Sequence, residues 1–386
     1  FTVADVETPA QNLIVTATSD NTALIPNNPA NLVLGGTGSD RTITVVPSAG
    51  QQGVANILVL VTDGDSLSTS ESFQVVVGSP GIDPIASQMT RVGTAFAPVG
   101  ISVSDAETPN SLIVTATSGN QALISDSGLV ISGTGTSRTL QITAEPGQTG
   151  VAVITVSVSD SVHTVNTTFK AAVSPSLGLI LADTFTYPDG VMQESSGYFW
   201  LAYSGSDSND LFVAEGKVQL GNTNYQDVHA FYSNSITLGA NSGAILYSSF
   251  KVNFNSLPVG SGGGYFAFFK DSGTSQFRAR VFAQTNGAAP GKFRLAISNG
   301  GFSQQNYPQD LSLGTEYTVV TRYNTLTGLA TLWVNPANES GASVSGIDYA
   351  NVPDLMTYAF RQDRGDSPGV ITVDDLAVGT SWSDVY

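Results

Sequence analysis

The sequence predicts an all-β chain of β-sandwiches in series, and three observations carry that prediction. Apolar residues alternate with polar ones or run in short blocks between turn clusters, and no stretch holds a helical period. Glycine supplies 40 residues and charged residues only 12%, so turn formers and β-branched strand formers dominate a sparsely charged chain. The text also repeats. Phe1-Thr-Val-Ala-Asp-Val-Glu-Thr-Pro9, Leu13-Ile-Val-Thr-Ala-Thr-Ser19 and Asn21-Thr-Ala-Leu-Ile25 return as Ile101-Ser-Val-Ser-Asp-Ala-Glu-Thr-Pro109, Leu112-Ile-Val-Thr-Ala-Thr-Ser118 and Asn120-Gln-Ala-Leu-Ile124. A long internal repeat of this kind implies stacked units rather than one large core.

The first unit, residues 1–78, is expected to hold strands at Leu13–Thr18, Asn31–Leu34, Arg41–Val46, Ala55–Val61 and Glu71–Val77. Asn27-Asn28-Pro29, Gly35-Gly36-Thr37-Gly38, Gln51-Gln52-Gly53 and Asp63-Gly64-Asp65 separate them, and Asp-Gly between apolar strands is a hairpin signal because Gly accepts positive φ. The second unit, residues 79–174, follows the same plan, with Ile154, Val156 and Val158 on one face of a half-buried strand. About seven short strands per hundred residues is the arithmetic of an immunoglobulin-like sandwich. One difference separates the copies. Pro84–Gly100 leads into the second, and nothing corresponds to it before Phe1. The first unit is therefore expected to lack its first strand, leaving an apolar slot and an unpaired sheet edge.

Pro175-Ser176 marks a linker, after which aromatic residues become frequent. Residues 179–386 read as a larger all-β unit with strands at Gly216–Leu220, Ala230–Tyr232, Ala244–Phe254, Tyr265–Lys270, Gln276–Ala283, Lys292–Ser298, Glu316–Tyr323, Ala330–Asn335, Leu355–Gln362 and Gly369–Val378. About ten strands joined by Gly-rich turns suggest a jelly roll. The predicted fold is thus two immunoglobulin-like β-sandwich repeats followed by a C-terminal jelly-roll β-sandwich.

Two resemblances follow from these residues. Asp105-Ala-Glu-Thr-Pro, Leu112-Ile-Val-Thr-Ala-Thr-Ser, Gly133-Thr-Gly and the Val156–Asp160 strand end resemble the immunoglobulin-like or cadherin-like tandem repeats of large bacterial surface proteins, which implies a spacer or stalk. Ala182-Asp-Thr-Phe-Thr-Tyr-Pro-Asp-Gly190, Tyr265-Phe-Ala-Phe-Phe-Lys270, Phe277-Arg-Ala-Arg-Val-Phe282, Leu332-Trp-Val-Asn-Pro336 and Val373-Asp-Asp-Leu-Ala-Val-Gly-Thr380 resemble concanavalin-like, laminin-G-like domains of secreted bacterial proteins. That second resemblance implies a surface for glycan or protein.

A net charge of −17, with 14 Lys and Arg in all, excludes nucleic acid and anionic membranes as partners. The absence of cysteine removes disulfides and thiolate metal sites. No apolar run reaches the length of a membrane span. Low charge with abundant Ser, Thr, Gly and Asn points to a secreted, extracellular or cell-surface protein. Phe1 is either the mature start or a cut in a longer repeat array.

Catalysis is not expected. Gly365-Asp-Ser-Pro-Gly369 has the outline of a nucleophile elbow, yet Pro368 has no N–H for an oxyanion and a strand follows rather than a helix. None of Glu194, Glu215, Glu316 and Glu339 belongs to a run of paired glycosidase carboxylates. His163 and His229 fall in different units, which leaves neither a histidine zinc site nor a serine triad in supply, and His229 reads as a strand residue satisfied by a neighbour.

Calcium is the inorganic candidate, because hard cations take carboxylate oxygens. Asp5 and Glu7 with their copies Asp105 and Glu107, the unit-end residues Asp63, Asp65 and Asp160, and the pair Asp183 and Asp374 on the first and last jelly-roll strands could supply structural sites. The competing reading of the Asp-Glu-Thr-Pro segments is a turn held by side-chain-to-backbone bonds. In cadherin-like repeats such residues bind calcium between neighbours, though this sequence lacks the interdomain linker motif of that family. For glycan, the aromatic candidates are Trp200, Tyr203 and Tyr225, with Trp333 expected to point outward. Core filling is the alternative for Trp200 and Phe199.

The expected function is an extracellular structural protein: a filament or surface-stalk subunit assembled from copies of itself by strand complementation. Leu177-Gly-Leu-Ile-Leu181 is apolar enough to be the donor if it is free, whereas Val385-Tyr386 is too short alone. The alternative is a secreted glycan-binding adhesin with a lectin-like head and a polysaccharide partner. A third possibility is a polysaccharide-active enzyme whose catalytic part lies elsewhere.

Overall fold

The computed structural model describes residues 1–48, 51–105, 110–160, 163–205, 210–221, 225–260, 262–301, 303–346, 351–363 and 365–386. The chain is all-β, and its buried apolar residues gather into three clusters that follow one another along the sequence.

The first cluster rests on Leu24, Ile25, Leu32, Ala55, Ile57 and Val59. The antiparallel strands Ile14–Ser19, Gly53–Thr62 and Ser68–Val77 form one sheet, and Leu32–Thr37 pairs with Asp40–Val45 in the other. Phe1 to Val3 lie along this hairpin: Arg41 N–H donates to the Phe1 carbonyl at 2.9 Å and Val3 N–H to the Ser39 carbonyl at 2.8 Å. Asp5 closes the turn that follows, its Oδ1 accepting the N–H groups of Glu7 at 3.0 Å and Thr8 at 2.6 Å.

The second cluster has the same strand plan with additions. Ile113–Ser118, Gly150–Ser159 and Thr164–Ser174 repeat the first sheet, and Gln88–Arg91 adds to it parallel to Thr164–Ser174. Gly81–Ile82 pairs with Val99–Ser104 at the edge of the opposite sheet. The local chemistry of the repeat also recurs. The Ser19 N–H is held by Asn27 Oδ1 at 2.6 Å, and the Ser118 N–H by Asp126 Oδ1 at 2.7 Å.

The two repeats differ in how far equivalent residues are covered. Phe73 and Phe169 stand opposite Ile57 and Ile154 in the same register, yet Phe73 is 40% exposed and Phe169 is 4% exposed. Phe1 is 50% exposed, and its counterpart Ile101 is 2% exposed. Among the described residues no strand pairs with the free edge of Ser68–Val77.

Residues 179–386 build a jelly-roll sandwich. Its nine-stranded sheet is centred on Ile371–Gly379, flanked by Ile245–Phe254 and Lys217–Leu220, with Leu179–Asp183 also paired to it. The seven-stranded sheet runs in the order Leu201–Ser204, Asp227–Phe231, Thr357–Phe360, Gly264–Lys270, Phe277–Gln284, Arg294–Ser298 and Gln305–Asn306. Phe250, Phe254, Phe266, Phe269, Tyr358 and Phe360 fill the core between the sheets. Five short strands escaped the sequence pattern here: Gly190–Val191, Leu201–Ser204, Phe212–Ala214, Gln305–Asn306 and Ser343–Gly346. Two to four residues carry too few alternations for a period to register.

The second repeat abuts the jelly roll. Arg91 Nη2 donates to the Thr380 carbonyl at 2.5 Å, and Leu177 N–H donates to Thr380 Oγ1 at 2.9 Å. His163 Nδ1 lies 3.1 Å from the Gly78 carbonyl and ties the two repeats. No helix among the described residues is long and apolar enough to cross a membrane.

Candidate functional site

The seven-stranded sheet turns Val228, Ala230, Phe266, Phe269, Val281 and Ala283 toward the core. Alternation then places Asp227, His229, Tyr265, Lys270, Arg280 and Phe282 on the opposite face. In a chain so poor in charge, this face collects two cationic groups on adjacent strands and a third just past a strand end, Arg361.

Glycines shape the depression in it. Gly263 has φ +57°, and a Cβ on Gly264 would stand 1.8 Å from the Asp366 carbonyl, so only glycine lets the 365–369 loop close on this strand. The result is a cleft of about 520 Å³ whose lining includes Tyr265, Phe277, Arg280, Gln304, Arg361 and Asp366. The Arg361 guanidinium lies 4.4 Å from the Tyr265 ring centre, and that of Arg280 lies 4.8 Å from the same ring. Arg361 is paired with Asp363 and stands 3.9 Å from Asp227 Oδ2. Arg280 bonds Ser298 Oγ at 3.0 Å and the Gly301 carbonyl. Both forks are thus fixed before any ligand arrives.

Beneath the cleft lies a second polar group. The buried Lys270 ammonium bonds His229 Nδ1 at 3.1 Å, the Asp271 carbonyl at 2.9 Å and the Gly273 carbonyl, and it stands 4.2 Å from the Tyr203 ring centre. Burial pulls the Lys270 pKa down to about 8. His229 falls to about 4, through burial first and the neighbouring ammonium second, so its imidazole is neutral at pH 7. Burial raises the Asp227 carboxyl to about 6, against a hydrogen bond from Ser204 Oγ at 2.8 Å and the Arg361 charge.

These two shifts oppose each other in stability. The raised Asp227 contributes stability that is full below its ordinary 3.8 and is lost as pH rises through about 6. The depressed His229 contributes stability that is full above its ordinary 6.5 and is lost as pH falls through about 4. We expect a nearly flat stability profile between these limits. His229→Gln is expected to expose the Asp227 slope, stability falling with rising pH by at most about 1.4 kcal/mol per pH unit, read from urea melts across that window.

The sequence-nominated aromatic residues occupy other places. Trp200 is 0% exposed, packed on Phe185 and Phe360 in the core, and its indole N–H donates to Asp183 Oδ2 at 2.7 Å. A solvent-borne sugar cannot stack on it, which corrects its assignment as a glycan platform. Trp333 does turn away from the core, but Trp382 covers it at 5.2 Å, so it is not the outward-facing ring expected. Tyr203 sits on the polar face with the Lys270 ammonium over its ring, which is therefore not open for stacking. Tyr225 is 43% exposed and is not among the residues lining the cleft.

Most of the described acidic candidates face hydrogen-bond donors or a cation. Asp183 Oδ1 accepts the Phe185 N–H at 2.7 Å, and Oδ2 accepts the Tyr187 hydroxyl at 2.6 Å and the Trp200 indole, so its oxygens face donors. Asp374 lies 3.7 Å from the Lys217 ammonium. Asp63 Oδ1 accepts the N–H groups of Asp65 and Leu67, and Asp160 Oδ1 that of His163, as Asp5 does in its own turn. At Asp5 and Asp63 the local geometry is the side-chain-to-backbone turn. Glu7 and Asp65 contribute backbone donors to these turns, and Asp105 is half-buried. Glu107 lies outside the described residues. No three acidic or histidine side chains converge on one point among the described residues. We expect chelation to leave the melting temperature within about 1 °C by calorimetry, since a lost specific ion would lower it.

Arg280, Arg361 and Tyr265 were missed. The available signal was charge inside an apolar strand: in Phe277-Arg-Ala-Arg-Val-Phe282 the core residues Ala279 and Val281 leave Arg280 on the other face. Ser367 of the elbow-like segment is 0% exposed, and its Oγ accepts the Gly369 N–H of the same turn at 3.1 Å.

No family model matches the chain, and no curated protein matches it. Among solved structures the chain is similar to peanut lectin with a nine-residue peptide, at 14% identity over 47% of this chain and 97% of that chain, TM-score 0.31. It is similar to the carbohydrate recognition domain of Emp47p, at 9% identity over 53% of this chain and 97% of that one, TM-score 0.33. It is also similar to domain 4 of AbnA, a GH43 extracellular arabinanase from Geobacillus stearothermophilus, in complex with arabinotriose, at 14% identity over 52% and 93%, TM-score 0.30.

Proposed function

We propose that residues 179–386 form a non-catalytic carbohydrate-binding head, carried extracellularly on two immunoglobulin-like repeats that act as a spacer. The observation that carries this reading is the cleft: two pre-fixed guanidinium forks, a carboxamide and carboxylates around partly exposed aromatic rings. Planar forks and carboxylates suit pairs of adjacent hydroxyls, and aromatic rims suit the apolar faces of pyranose or furanose rings. A glycan array with the full chain tests it. Arg361→Lys keeps the charge and removes the fork, and it is expected to lower glycan affinity about tenfold with the circular dichroism spectrum unchanged. Absence of signal on every glycan would sink the reading.

A second reading rests on a separate observation, the open edge of Ser68–Val77 beside the exposed Phe1 and Phe73. It supports a first repeat that accepts a strand from a neighbour, within a filament or surface stalk. The two segments at the ends of the jelly-roll unit, of which the sequence favours the first, are not free as donors. Leu179–Asp183 is paired with Ile371–Gly379, and the Tyr386 hydroxyl is held by the Pro336 carbonyl at 2.5 Å. Edge amides protected in the isolated monomer would contradict this reading.

A further inference from the structure

The charges of the jelly-roll cleft are ordered by depth. Arg280 is 5% exposed and lies against the Tyr265 and Phe282 rings, engaged by Ser298 Oγ and the Gly301 carbonyl. Arg361 is paired with Asp363, whose Oδ1 also accepts the Gly365 N–H at 2.8 Å. Asp366 belongs to the same lining and is exposed. A ligand approaching this cleft meets a carboxylate before either guanidinium, on a chain whose net charge is −17.

Gln304 adds a second constraint. It lines the cleft, and its Nε2 donates to the Gly262 carbonyl at 3.2 Å. That bond fixes which end of the carboxamide is the oxygen, and it leaves Oε1 a buried acceptor with no donor among the described residues. A buried acceptor is costly to leave unmade, so the ligand group that reaches it must bring an O–H or N–H. A hydroxyl does this and can accept from a guanidinium at the same time. A carboxylate or a sulfate ester brings no donor, and it adds like-charge repulsion from Asp366.

We propose that the cleft selects neutral, hydroxyl-bearing sugars over uronate and sulfated ones, with Gln304 as the specificity-determining residue. This rests on the carbohydrate-binding reading and deepens it by naming the substrate class.

The test presents the full chain with an array of arabinan, xylan, galactan, mannan and glucan oligosaccharides beside polygalacturonate, alginate and sulfated galactan. The binders are expected to be neutral, with affinity for the best of them constant within about twofold from about 0.02 to about 0.5 M salt. Calorimetry then compares that ligand with the same glycan after chemical sulfation, which should bind at least about tenfold more weakly. Gln304→Leu is expected to lower affinity for the neutral ligand about tenfold and to shrink the gap between the two forms. Asp366→Asn, at an exposed position, should narrow the gap about threefold, an effect that added bulk alone would not give. An acidic glycan as the best ligand, affinity that falls steeply with salt, or a gap unchanged in both variants would overturn the proposal. Silence across the whole array overturns the carbohydrate-binding reading itself.

Discussion

Trp200→Ala is expected to cost the jelly-roll sandwich about 3–5 kcal/mol and to leave glycan specificity unchanged in whatever fraction remains folded. The indole is the largest side chain in a fully buried cluster with Phe185 and Phe360, so its removal leaves a cavity that close-packed neighbours fill only partly. It also removes one of three donors from Asp183, a carboxylate whose remaining partners are the Phe185 N–H and the Tyr187 hydroxyl. Trp200→Phe keeps most of the packing and loses the hydrogen bond, so it should fall between wild type and Ala. Urea unfolding followed by near-ultraviolet circular dichroism measures both. A stable Trp200→Ala protein that has lost sugar binding would mean the ring meets ligand directly, against its burial.

The second large effect lies in the repeats. We expect amide protons along Ser68–Val77 to exchange at least about a hundredfold faster than their counterparts along Thr164–Ser174. The registers are the same, with Val61 opposite Thr69 and Val158 opposite Val165, so the backbone ladder itself is not the difference. The difference is cover. The second repeat buries Phe96, Val99, Ile101 and Leu140, which the lead and its own strands enclose, whereas the first leaves Phe1 and Phe73 in solvent and Ile43 and Val61 only half-buried. Apolar area left in water contributes nothing to closing the sheet, and an edge without a partner opens without breaking a second ladder. Exchange mass spectrometry on the full chain reads both segments in one experiment. Equal rates would show that the first repeat is complete without a donor.

The repeats were the legible part of this sequence. Strict alternation in Ala55–Val61 and Val151–Val158 gave strands that the structure extends only by a residue or two at each end. The lead at Pro84–Gly100 was legible as a segment set before the second copy, but not which sheet edges it covers. The jelly-roll core was also legible from its aromatic strands. Its binding face was not. Tyr265, Arg280 and Arg361 come from three strands or strand ends that meet only through the order of the seven-stranded sheet, and no spacing along the chain encodes that order. Trp200 misled for the converse reason. It lies in a loop-like stretch, where tryptophan suggests exposure, but Asp183 on a distant strand draws its N–H inward and gives a buried indole the partner it needs. The acidic residues were ambiguous for a local reason. Asp5 and Asp63 bond backbone N–H groups two to four residues ahead, which sequence alone does not distinguish from a carboxylate waiting for a cation.

The most direct measurement is a chemical-shift map of the jelly-roll unit titrated with the best glycan from an array, using the full chain with labelled tyrosine, phenylalanine and arginine. We expect the largest changes at Tyr265, Phe277, Arg280 and Arg361, with Tyr225 and the repeats silent. Changes concentrated on any other face, with those four residues unmoved, would contradict the assignment of the cleft.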